Sequence, residues 1–88
     1  MSVVRDARDE TLTLLALRAT GATICPSEIA RALVAADAST AADWRAAMPS
    51  VHAAVDRLVE DGLVRLSWKG ETLATRAGPY RIARIPRP

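Results

Sequence analysis

Apolar residues recur first at helical spacing and then at alternate positions. Leu12, Leu14, Leu15 and Leu17 spread over about 220° at about 100° per residue, wider than a single amphipathic face. This predicts a first helix over residues 5–19 that is covered on two sides and stops at Gly21. Thr23-Ile24 has the length of a bridge strand only. Pro26-Ser27-Glu28 opens a second helix over 26–36, because proline suits the first turn and an acid complements the positive end of the dipole. Ile29, Leu33 and Ala36 share its apolar face. Ser39, Thr40 and Asp43 punctuate a linker over 38–43, and 44–48 adds a helical turn. A third helix over 49–61 follows. Val51, Ala54, Val55, Leu58 and Gly62 form its buried stripe, with Ser50, His52, Ala53, Asp56, Arg57 and Glu60 on the opposite face.

After Gly62 the period changes to two. Val64, Leu66 and Trp68 alternate with Arg65, Ser67 and Lys69, which predicts a strand buried on one face. Lys69-Gly70-Glu71 reads as a turn, the run to Pro79 as polar connection, and Tyr80 to Ile85 as the returning strand. The hairpin spans residues 63–85. A lone two-stranded hairpin is marginal in water, but its apolar face can close the open side of three small helices. The expected fold is mainly α with a small β-hairpin (α+β), in the order of a winged helix-turn-helix. It comprises three helices plus a two- to three-stranded wing in one domain over 1–88.

Composition narrows the function. Alanine supplies 18 of 88 residues and phenylalanine none, which favours helix and leaves a modest core. One cysteine forms no internal disulfide, and one cysteine with one histidine makes an all-protein zinc site improbable, so neither a metal nor a cofactor is expected. No apolar run reaches membrane-spanning length, and the opening residues pass straight into charge. No membrane association and a cytoplasmic location are therefore expected. Residues 1–61 hold six arginines against nine acids, a net −3. Residues 62–88 hold five arginines and Lys69 against Glu71, a net +5, so an anionic partner would meet the C-terminal third.

The element order makes the third helix the recognition helix, presenting Ser50, His52 and Arg57 to base edges. Asp56, Glu60 and Asp61 outnumber Arg57 there and oppose phosphate binding, so an ordinary solvated face is the competing reading. In the hairpin, Arg65, Lys69, Arg76 and Arg81, followed by Arg84 and Arg87, are candidate phosphate contacts; the alternative is a charged edge that blocks strand pairing. Ser27 at the opening of the second helix either binds phosphate or satisfies its own helix end. Arg45 either secures the linker or faces phosphate. Cys25 reads as core rather than as a reactive thiol, His52 as an ordinary surface side chain, and Trp44 and Trp68 as core anchors. No Gly-rich phosphate loop, paired carboxylates or nearby Cys–His pair is present, and no enzymatic activity is expected.

The run from Thr23 to Leu33 (TICPSEIARAL), Trp44-Arg45, Met48-Pro49, Lys69-Gly70 and Gly78-Pro79 resembles a bacterial family of short winged-helix domains of unknown function. The resemblance covers roughly Ala16 to Arg84 and implies the fold but no activity. By analogy of fold the leading expectation is a DNA-binding protein, accessory or regulatory, acting on double-stranded DNA. The alternative is a protein-interaction or dimerisation module that uses the acidic third-helix face or surplus apolar surface of the first helix.

Overall fold

The computed structural model describes residues 6–19, 21–36, 43–76 and 78–85. The chain forms α1 (Ala7–Ala16), β1 (Thr23–Ile24), α2 (Pro26–Ala36), a 3-10 turn (Trp44–Ala47), α3 (Met48–Glu60), β2 (Val64–Trp68), β3 (Glu71–Leu73) and β4 (Arg81–Arg84). It is a mixed α+β fold of three helices on an antiparallel sheet. The layering is winged-helix-like, as expected, but the sheet has four strands, ordered β1-β4-β2-β3, rather than two or three. Among the described residues no helix is long and apolar enough to cross a membrane.

Local signals explain most boundaries. Asp6 caps α1 by accepting from the Asp9 backbone N–H at 2.8 Å, with Asp9 and Glu10 at the positive end of the dipole. The helix ends at Ala16, earlier than residue 19. The N–H groups of Leu17 and Arg18 turn back to Leu14 and Leu15, tightening the last turn, and Gly21 belongs to the following turn rather than to the helix cap. Leu17 is consequently 77% exposed and leaves the apolar arc predicted for this helix. At α2, Pro26 takes the first helical position and the Glu28 carboxylate accepts from the Cys25 N–H at 2.9 Å, one half of a capping box. At α3, Gly62 adopts φ 73° while its own N–H bonds Val59 O and the Leu63 N–H bonds Leu58 O, a Schellman cap that a β-carbon would strain. Gly62 therefore ends the stripe exposed rather than buried.

The extra strand arises at the wing. Lys69 (φ 51°) and Gly70 (φ 84°) form a two-residue turn with both residues left-handed, the geometry whose twist matches a tight hairpin. That turn folds Glu71–Leu73 back onto β2 in register, Leu66 opposite Leu73 and Trp68 opposite Glu71, where a polar connection was expected. Trp68 is 38% exposed and is not the core anchor predicted. It pairs beside the turn, and no helix packs extensively on β3.

The helices and sheet close on one core. Leu15, Ile24, Ile29, Val51, Val55, Leu58, Val64, Leu66 and Ile82 are all essentially inaccessible to solvent. Val51, Val55 and Leu58 are the α3 stripe the spacing predicts, and Val64 and Leu66 the buried face of β2. β4 buries Ala83 as well as Ile82, because it lies between two strands rather than at an edge. Ser39, Thr40 and Arg87 lie outside the described residues, as does the predicted start of the first helix at residue 5.

Leu58→Ala should destabilise the domain by about 2–5 kcal/mol through lost contacts and a residual cavity. Urea unfolding checks this, and an unchanged midpoint would show that α3 does not pack through Leu58.

Candidate functional site

The outward face of α3 and the hairpin beside it are the region the charge pattern singles out. Ser50 and Ala53 are exposed on the first turns of α3, and Arg57 has 72% of its side chain in solvent, 3.9 Å from Asp61. Asp61 is held more closely from α1, where the Arg8 guanidinium donates to it at 2.8 Å. Arg65 and Lys69 are exposed on the hairpin, with no polar partner among the described residues.

Other predicted cations are already engaged. Arg76 is bidentate on Asp56, Nε to Oδ1 at 3.0 Å and Nη2 to Oδ2 at 3.1 Å. This is the fork geometry in which a guanidinium matches a carboxylate best. The pair holds the Asp56 carboxyl below its ordinary pKa and raises that of Arg76, chiefly through the hydrogen bonds between them. Arg81 donates from Nε to Thr23 Oγ1 at 2.7 Å and from Nη2 to the Thr23 carbonyl at 3.2 Å, tying β4 to β1. It is a sheet fastener.

His52 departs from the surface role expected. Its Nδ1 lies 2.6 Å from Tyr80 Oη, with the rings tilted at 54° and their centroids 5.6 Å apart. Tyr80 is 3% exposed, and burial pushes its phenol pKa up to about 12. Burial also lowers the His52 pKa, helped by the charge of Arg76 and opposed by Asp56. A neutral imidazole carrying its proton on Nε2 accepts from the phenol at Nδ1. His52 and Asp56, one helical turn apart, thus hold Tyr80 and Arg76 against the outer face of α3. The i, i+4 spacing was visible in the sequence, but their partners, 28 and 20 residues further on, were not.

Near the start of α2, Cys25 is half-buried rather than core, with Sγ 3.0 Å from Ser27 Oγ. Glu28 holds the helix end. Asp43 caps the 3-10 turn by accepting from the Arg45 N–H, and its carboxylate lies 3.3 Å from the Arg45 guanidinium. Trp44 is half-buried against the core, with Arg45 and Arg31 both over its ring. The Trp44-Arg45 pair was legible in the sequence. Arg31, from α2, was not.

A family model described as protein of unknown function (DUF3253) matches residues 5–85. The chain belongs to this family. A search of curated proteins found no match. In this DUF3253 domain the outer face of α3 is therefore divided. His52 and Asp56 hold the wing, while Ser50, Ala53 and Arg57 stay exposed.

Tyr80 is the sole tyrosine, so its phenolate absorbance reports this site directly. Half-ionisation should come near pH 12 in the native DUF3253 domain and near 10 in denaturant. A pKa raised by folding contributes stability that is complete below the unfolded value and is lost as pH rises through the folded one. The melting temperature should therefore fall from about pH 10 upwards, and Tyr80→Phe should remove this part of the dependence. A native transition at the denatured value would show that Tyr80 is not buried against His52.

Proposed function

We propose that the domain is a binding module for double-stranded DNA, not an enzyme, and that it grips chiefly the phosphate backbone. In this reading α2, the 3-10 turn and α3 act as a helix-turn-helix. Ser50 and Arg57 approach the groove, while Arg65 and Lys69 on the hairpin engage flanking phosphates. The supporting observation is how the acids of α3 are disposed. The sequence places Asp56, Glu60 and Asp61 on or beside the helix, a charge that opposes a duplex. Asp56 is paired with the bidentate Arg76 and Asp61 with Arg8, the first turn of α3 holds no acid, and Glu60 in the last turn is the acid of α3 left without a side-chain partner among the described residues. The two unpaired hairpin cations then act on a nearly neutral helix face.

Ser27 and Arg81 leave the set of phosphate contacts on this reading, Arg81 because Nε and Nη2 hold its guanidinium against Thr23. Arg76 acts indirectly. Its role is to cancel Asp56.

A salt titration of binding to mixed-sequence duplex tests the proposal. The slope of log K against log salt should fall by about 0.9 for each of Arg65→Ala and Lys69→Ala, with the loss nearly equal for every sequence. Arg76→Ala should weaken binding by uncovering the Asp56 carboxylate, and Asp56→Asn in the same chain should restore most of it. A cation that touched phosphate directly would not be rescued in this way. Unchanged slopes in folded variants, or no binding at low salt, would overturn the DNA reading in favour of a protein-docking face.

A further inference from the structure

Trp44 carries two guanidinium groups. The Arg31 guanidinium carbon lies 4.7 Å from the ring centroid and that of Arg45 lies 4.6 Å from it. The two are therefore no more than about 9 Å apart, although they arrive from α2 and from the 3-10 turn. The indole is half-buried against the core, so the platform on which they lie is fixed. Both arginines are exposed, Arg45 with 70% of its side chain in solvent.

Stacking on an aromatic ring uses the face of a guanidinium and leaves the N–H donors around its edge free. Nor does an uncharged ring cancel the charge. Arg31 has no acidic partner among the described residues. Arg45 shares Asp43 at 3.3 Å, but both side chains are more than half exposed, so water screens that pair. Two like charges held within about 9 Å of each other repel, and an oxyanion that reaches both relieves the repulsion while accepting from their edges. The turn also leads directly into α3, whose first residues form the positive end of a 13-residue helix dipole.

We propose that Arg31 and Arg45, held in place by Trp44, form a phosphate-binding site at the entry to α3. The assignment of a DNA backbone phosphate as its occupant rests on the DNA-binding reading above. A free phosphate compound shares the chemistry and is the other source. Trp44 is a positioning residue and does not touch the ligand.

The test uses the full chain carrying Trp68→Phe, which leaves Trp44 as the single tryptophan and its fluorescence as the reporter. Titration with a short mixed-sequence duplex should shift Trp44 emission. Arg31→Gln and Arg45→Gln should each lower the salt slope by about 0.9 and abolish the shift without moving the melting temperature. A parallel titration uses inorganic pyrophosphate. If the duplex binds while Trp44 stays silent and both slopes are unchanged, the site is overturned and the DNA reading survives. If the duplex does not bind but pyrophosphate shifts Trp44 emission in an Arg31-dependent manner, the site stands, its source is a free phosphate and the DNA reading fails. Silence towards both ligands overturns the site.

Discussion

One row of side chains runs across the whole sheet: Ile24 opposite Ile82, Ile82 opposite Leu66, and Leu66 opposite Leu73. Its centre, Ile82, is fully buried, and β4 carries it between β1 and β2. The last of these strands, β4, therefore joins the first to the second and third. Without that insertion, β1 would be two residues with no partner, and the β2–β3 hairpin would be a small ribbon of marginal stability. The helices join the same core through Leu15 of α1, Ile29 of α2 and Val51, Val55 and Leu58 of α3.

This topology dictates where the wing goes. β3 lies at one outer edge of the sheet and β4 lies inside it, so the chain after Leu73 must travel back past β2 to reach its place. The return route takes it across α3. Arg76 meets Asp56 on the way, and Tyr80 meets His52 just before β4 begins. The contacts that occupy half of the outer face of α3 thus follow from strand order. Their electrical consequence is local. They leave the net charge unaltered, but they pair the Asp56 carboxylate, and among the described residues they leave Arg65 and Lys69 on the hairpin and Arg31 over Trp44 without an acidic partner.

Much of the scaffold was legible. The Val51, Val55 and Leu58 stripe, proline at the opening of α2 and α3, and the alternation of β2 are each set by neighbours within a few residues. The third strand was not, because Glu71, Thr72 and Leu73 carry little apolar signal of their own. They become a strand through the left-handed Lys69-Gly70 turn and the open edge of β2. Trp68 misled for a related reason. Alternation assigns a side chain to a face of the sheet but says nothing of whether a helix covers that face, and no helix packs extensively on β3 beside Trp68.

The candidate site was legible as residue types and not as roles. The sequence by itself determined the helices, the period of β2, the family and the concentration of cations after Gly62, since all of these are local or compositional. Only the tertiary structure decided which cations are available. Arg76, Arg81, Arg65 and Lys69 look alike along the chain, yet the first two are held by Asp56 and Thr23 while the others have no side-chain partner among the described residues. Arg31 acquires its place beside Arg45 only because α2 and the 3-10 turn meet over one indole. The difference is physical. Helix and strand follow from neighbours a few positions apart, whereas the partner of a long charged side chain is set by which distant segments the core brings within about 3 Å of one another.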